Sequence, residues 1–141
     1  MANKKQFVEQ MMKAVDARNY GALREFYTSD LEITTPMGSA RGVEALIGFM
    51  TPFLDAFPDL THEIVGYVEQ GEDVAYELRI RGTHPKPLAS PQGPIPPTNQ
   101  PVDFHASDFV RFRDGRIASY RVYFDMMGFM GQLGLLPPPG R

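Results

Sequence analysis

The stretch VDFHASDFVRFRDGRIASYRVYFD, Val102–Asp125, decides the fold. Two runs rich in β-branched and aromatic residues flank Asp114-Gly115, a pair that tolerates positive φ and so closes a hairpin. In the first run Val102, Phe104, Ala106, Val110 and Phe112 share one parity, while His105, Ser107, Phe109 and Arg111 share the other. Such a strand lays one face on a core and turns the other outward. Asp108 breaks the pattern, because it is a carboxylate on the apolar parity.

The segments upstream fit around this hairpin. Val74 to Thr83 alternates in the same way, with Val74, Tyr76, Leu78 and Ile80 apolar and Glu77, Arg79 and Arg81 charged. Leu60 to Glu69 reads as a further strand, joined to it by the turn Gln70-Gly71-Glu72-Asp73. Between these strands and the hairpin lies the segment 84–101, which carries Pro85, Pro87, Pro91, Pro94, Pro96, Pro97 and Pro101. Proline cannot donate to a sheet ladder, so the segment reads as one long loop across a rim.

Ahead of the strands, Phe7, Met11, Met12, Ala14 and Val15 recur at helical spacing, predicting a helix from Lys4 to Arg18. A short helix from Ala22 to Tyr27, a turn at Ser29-Asp30 and a strand from Leu31 to Thr35 should follow. Pro36-Met37-Gly38 ends that strand. A third helix, Val43 to Phe57, is expected to be interrupted at Pro52. A last helix runs from Met126 to Leu133, ahead of an extended tail, 136–141. Helices first and then a meander of strands means α+β. The expected architecture is one domain over 1–141, a curved antiparallel sheet wrapped with N-terminal helices into a cone enclosing a pocket.

Composition narrows the function. Of the 141 residues 43% are hydrophobic and 22% charged, which is globular rather than disordered composition. A net charge of -3 gives no electrostatic case for nucleic acid or an anionic membrane as partner. The absence of cysteine removes disulfides, thiolate metal sites and cysteine nucleophiles. The start, Met1 to Gln6, has no signal-peptide core, and no apolar run is long enough to span a bilayer, so the cytoplasm is the expected compartment. His62, His84 and His105 show no metal-ligand spacing, and neither metal nor cofactor is implied.

Several motifs carry a family resemblance. They are Arg41-Gly42-Val43-Glu44-Ala45-Leu46 at a helix start, Gly82-Thr83-His84 at a strand end, and Ile95-Pro96-Pro97-Thr98 in the loop. The hairpin Arg111 to Ile117 and the tail Asp125-Met126-Met127-Gly128-Phe129-Met130-Gly131-Gln132-Leu133-Gly134 complete the set. In this order the chain resembles the SnoaL-like polyketide cyclases of the nuclear transport factor 2-like superfamily. The resemblance implies the cone fold and an intramolecular aldol closure of a polyketide ester. It also implies an acid–base aspartate on the last strand, a position that falls at Val122, and a partner-strand histidine that falls at Asp108. Valine carries no proton. Asp108 also matches the oxyanion-stabilising aspartate of ketosteroid isomerases, whose general base falls near Thr35.

The candidate catalytic residues are therefore Asp108 and His84. An aspartate among apolar neighbours resists ionisation, so its pKa should rise toward a useful acid–base range. His84 stands where a strand meets the loop, near the expected pocket mouth; it could equally be bonded to loop backbone. The expected pocket wall takes Met12 and Val15 from the first helix, Tyr27 from the second and Phe53 from the third. Tyr76, Leu78, Ala106, Tyr120, Val122 and Phe124 come from the strands. Asp125 reads as a helix N-cap, and His105 should face away from the pocket. Two functions stay open: acid–base chemistry, of cyclase or isomerase type, on a small hydrophobic carbonyl or polyketide-like compound, or binding of such a molecule without catalysis. The mixed charges on the outward face, with Arg121 and Tyr123, suit a homodimer formed through the sheet face.

Overall fold

The computed structural model describes residues 3–90 and 93–135. Its elements run α1 (Lys4–Asp16), α2 (Tyr20–Leu23), a 3-10 turn (Arg24–Phe26), β1 (Tyr27–Thr35), β2 (Gly38–Arg41) and α3 (Val43–Ala56), then β3 (Thr61–Gln70), β4 (Asp73–Thr83), β5 (Pro101–Arg113), β6 (Arg116–Phe124) and α4 (Met126–Gln132). The expected tail, 136–141, and Pro91 lie outside the described residues.

The strands form one sheet in the order β2-β1-β6-β5-β4-β3. All neighbours are antiparallel except β1 and β6, which run parallel. The sheet curves without closing, and the helices pack into its concave face. This is the α+β cone. Val8, Met11 and Val15 of α1 meet Leu46 and Leu54 of α3 and the inward residues of β4, β5 and β6 in one core cluster.

Several local expectations need correction. Ser29-Asp30 is no turn: β1 begins at Tyr27, and its register against β6 shifts between Tyr27 and Glu32, so an irregularity absorbs the polar pair within the strand. The segment after Pro36-Met37 pairs back as β2, because Gly38 takes a φ of 125° that closes the hairpin. Helix α3 runs through Pro52 unbroken. Proline removes one backbone donor there, and Thr51 Oγ1 bonds back to Ile47 O at 2.6 Å in the adjacent turn.

Two devices set the geometry of the site. The first is a bulge in the β5–β6 hairpin. Arg111 pairs with Ser119 but Phe112 with Ile117, which leaves Ala118 extra. A one-residue shift reverses every side chain that follows. It places Tyr120 and Val122 on the inner face and sets Val122 directly opposite Asp108. The second is Arg18, just past α1 with φ 55°. Its guanidinium donates to the carbonyls of Phe57, Pro58 and Leu60 at 2.9, 3.2 and 3.2 Å, and to Leu54 O at 3.4 Å. These include carbonyls that the last turn of α3 leaves without intrahelical partners. The ends of α1 and α3 are thereby locked together.

Candidate functional site

Asp108 projects inward from the middle of β5, between Tyr76 on β4 and Val122 on β6. It is completely buried. The Tyr120 hydroxyl donates to its Oδ2 at 3.0 Å. Among the described residues Oδ1 has no hydrogen-bond partner, and neither does the Tyr76 hydroxyl. That hydroxyl is near enough to draw the carboxyl pKa down, but its geometry falls short of a hydrogen bond. Burial dominates and pushes Asp108 up to about 7, against smaller downward pulls from Tyr120 and Tyr76. The phenols respond in kind. Burial, and then the Asp108 charge, raise Tyr27, Tyr76 and Tyr120 well above the ordinary phenol value, so all three are neutral donors.

The carboxyl faces a narrow inner cavity of about 80 Å³. Met12 and Val15 of α1, Phe53 of α3, and Leu78, Ala106, Tyr120, Val122 and Phe124 of the sheet line it. Phe49, Met50, Leu54, His62, Ile80 and Phe104 complete the wall and were not foreseen. Tyr27 and Tyr76 do not reach it. They lie in the core around Asp108, where the Tyr27 hydroxyl donates to Met11 Sδ at 3.2 Å. Phe49 and Phe53 also line an outer groove of about 700 Å³ between α3, α4 and the proline-rich loop. Met37, Met126 and Met130 soften that groove, and flexible thioethers suit it to varied apolar shapes.

His84 is not on the cavity wall. From Tyr76, opposite Asp108, the extended chain runs about 25 Å to His84, and the ring there anchors the loop. Its Nδ1 accepts from the Thr98 amide at 3.3 Å and lies 3.0 Å from Thr98 Oγ1. Its backbone bonds to Gln100 and Asn99, and its ring stacks on Phe57 with centroids 5.0 Å apart. Burial lowers its pKa and favours the neutral ring. The strand-end motif and the loop motif thus bond to each other through His84 and Thr98. The structure gives His84 a structural setting and does not bring it to Asp108.

The tail motif is likewise architectural. Asp125 caps α4 by accepting from the Gly128 amide at 2.8 Å. A Cβ on Gly128 would stand 2.5 Å from the same carboxylate, so a larger residue here would push the capping side chain aside. The Gln132 side chain pairs with both backbone groups of Asp103, at 2.7 and 2.9 Å, docking α4 on β5. Gly134, at φ 76°, ends the helix in the left-handed turn.

The outer sheet face carries the ion pairs Arg79–Asp103 and Arg111–Asp73, and a side-chain contact between His105 and Glu77. His105 faces away from the cavity, as its parity predicts. Among the described residues no group of three or more His, Cys, Asp or Glu side chains could hold a metal ion, and no helix is long and apolar enough to cross a membrane.

Comparison with known proteins agrees with this architecture. The family model for SnoaL-like polyketide cyclase matches residues 5–133. Among solved structures, the chain is similar to IdmH from Streptomyces antibioticus, a candidate polyketide cyclase. The two share 27% identity over 94% of this chain and 99% of that one, with a TM-score of 0.80. A candidate SnoaL-like polyketide cyclase from Jannaschia sp. CCS1 shares 21% identity over 94% and 92% of the two chains, with a TM-score of 0.82. AclR from Streptomyces galilaeus, a candidate hydroxylase, shares 23% identity over 95% and 86%, with a TM-score of 0.80. At those identities the last two show the fold alone. No curated protein sequence matches the chain. The protein belongs to the SnoaL-like polyketide cyclase family.

Proposed function

We propose that this member of the SnoaL-like polyketide cyclase family is a small-molecule enzyme using Asp108 for acid–base chemistry on a hydrophobic carbonyl compound. The observation that carries the reading is the Asp108 carboxyl itself. It is buried on the wall of an apolar cavity, its Oδ1 has no partner among the described residues, and burial pushes its pKa up to about 7. A base works best when it titrates near the operating pH. Ionised Asp108 takes the proton from the carbon beside a substrate carbonyl, while Tyr120 keeps its hydrogen bond to the other oxygen. The enolate then attacks a second carbonyl of the same molecule, closing a ring whose alkoxide takes up a proton as Asp108 releases its own, or takes the proton back at another carbon, giving an isomer.

The register explains how this is compatible with Val122. Directly opposed residues of an antiparallel pair hold their Cβ atoms about 5 Å apart. Asp108 and Val122 are such a pair, so the carboxyl stands one cross-strand step from the position the family pattern assigns it. The outer groove offers room for an apolar tail, which the inner cavity lacks.

The test is deuterium exchange at the acidic carbon of a small β-keto ester in D2O, followed by NMR. The wild-type rate should rise with pH through about 7. Asp108→Asn should lower kcat/KM by about a hundredfold or more. Equal rates for the two proteins would overturn the reading. Binding without catalysis is the second reading, favoured by Val122, which carries no proton and stands where the family pattern has its acid–base residue. Binding of the ester with no exchange in either protein would support it.

The proposal extends to assembly. Phe109 and Tyr123 are 38% and 46% exposed on the outer sheet face, amid charges already paired within the chain. Such a face suits a second copy of the same chain, and sedimentation of Tyr123→Lys against wild type would read it out.

A further inference from the structure

His62 and Asp16 form a second polar constellation on the inner cavity, which the argument from Asp108 does not use. His62 lies on β3 and lines the same cavity as Asp108. Asp16 is the last residue of α1, one turn beyond Met12, which also lines the cavity. The two side chains meet at 2.7 Å, Nδ1 to Oδ1, and Asp16 Oδ2 accepts the His62 backbone amide at 3.2 Å. A carboxylate only accepts, so Nδ1 carries the hydrogen and the lone pair of a neutral ring sits on Nε2. Among the described residues Nε2 makes no hydrogen bond, and it is not sealed from solvent. The Arg18 guanidinium donates to Asp16 O at 2.8 Å and ties down the carboxylate's own residue.

A carboxylate that fixes one ring nitrogen and leaves the other free is how proteins aim an imidazole at a reacting atom. A mere clip between α1 and β3 would need only the bond from the His62 amide. Here the ring is also oriented, and its free nitrogen belongs to a residue of the cavity wall. The charged and titratable groups packed nearby are Asp16 itself and Arg18, and Asp108 and Tyr120 are the other ionisable groups among the described residues of that wall.

We infer that His62, positioned by Asp16, is a second proton-transfer residue of this site and serves the substrate oxygen while Asp108 serves the carbon. His62 pairs with Ile80, and Asp108 with Tyr76, four positions earlier on the strand between them. In a flat sheet their Cα atoms would be about 16 Å apart, from the strand rise and spacing. That is too far for direct exchange, so each group meets a different part of whatever lies between them. The substrate class is a compound with two carbonyl groups, or a hydroxyl group β to a carbonyl. In ring closure Asp108 takes a proton from carbon, the new carbon–carbon bond forms, and the resulting alkoxide takes a proton from protonated His62 Nε2. Solvent then removes the proton from Asp108 and returns one to His62, so no net proton is gained or lost.

This inference rests on Asp108 acting as the base, and two probes separate their failures. Retro-aldol cleavage of 4-hydroxy-4-methylpentan-2-one needs proton transfer at both oxygen and carbon, whereas α-deuterium exchange of a β-keto ester needs the carbon base alone. His62→Gln should lower the kcat of cleavage by about a hundredfold, within the usual range for losing one acid–base group, and lower it far more than it lowers exchange. Asp16→Asn should reduce cleavage less and displace its pH profile. Loss of both reactions in Asp108→Asn, with cleavage intact in His62→Gln, would overturn the role of His62 and spare that of Asp108. Unchanged rates in Asp108→Asn would overturn the reading beneath both. Should the ketol prove no substrate, acylation of Nε2 by diethyl pyrocarbonate decides. His62 should react, and more slowly with the ketol or ester present. Equal acylation with and without them would place Nε2 away from the cavity and end the proposal.

Discussion

Replacing Asp108 with asparagine should stabilise this protein, by an amount that grows with pH. Asparagine keeps the shape of the side chain. Its amide oxygen can accept from Tyr120 as Oδ2 does, and its NH2 group takes the place of Oδ1, which has no partner among the described residues. What disappears is the charge. The carboxyl titrates at 3.8 when exposed and at about 7 when folded. The folded state therefore holds a proton that the unfolded state has released, and stability falls as pH rises across that window. Below 3.8 nothing is lost, and above 7 the full penalty of about 4 kcal/mol applies, from 1.36 kcal/mol per pKa unit. Between pH 5 and pH 8 the wild type should lose about 2–3 kcal/mol relative to Asp108→Asn. Urea unfolding of both proteins at the two pH values measures this, and subtracting one protein from the other cancels every other titrating group. Parallel pH dependence would refute the reasoning, because Asp108 would then titrate like a solvated carboxyl. A base at this position is thus bought with stability, as is common where burial tunes a reactive group.

Arg18→Met keeps the aliphatic stem but strips the donors from the carbonyls at the end of α3. It should destabilise the fold by about 2–4 kcal/mol, in line with hydrogen bonds to a charged group; a urea midpoint that barely moves would show those carbonyls to be satisfied by water instead. The proline-rich loop should loosen in acid. Burial holds the folded pKa of His84 below the ordinary imidazole value of 6.5, so the stability tied to its neutral ring is present above 6.5 and lost as pH falls below it. Protonated Nδ1 can no longer accept from Thr98. Amide exchange at Thr98, corrected for intrinsic rates, should therefore accelerate below pH 6 in wild type and show no such pH step in His84→Gln.

The strands were legible because period-two alternation in Val74–Thr83 and Val102–Arg113 is a direct imprint of one buried face. Asp108 was legible for the same reason, as a carboxylate on that face. Other features depended on contacts distant in sequence. Ser29-Asp30 looks like a turn, but pairing with β6 on either side, at Tyr27 and from Glu32 onward, holds it in β1. Pro52 looks like a helix break, but packing of α3 on the sheet carries the helix through it. His62 was missed because the register of β3 shifts between Ile64 and Gly66, so the parity of one half does not predict the other. The available signal was the helical spacing of Met12 and Asp16, which puts a carboxylate on the cavity-facing side of α1.

The amino-acid sequence by itself determined the α+β class, the family resemblance and the buried carboxyl, since periodicity and motif order are local properties of the chain. Tertiary structure alone decided which polar groups meet. The extra residue Ala118 sets Tyr120 and Val122 around Asp108, and the packing of α1 on β3 delivers Asp16 to His62. It also showed that the motifs carrying the resemblance, from His84 and Thr98 to Asp125, Gly128 and Gln132, secure the loop and the last helix. The physical reason is that a hydrogen bond acts over about 3 Å. Sequence shows which residues could form such bonds, and only the folded chain brings two of them within that reach.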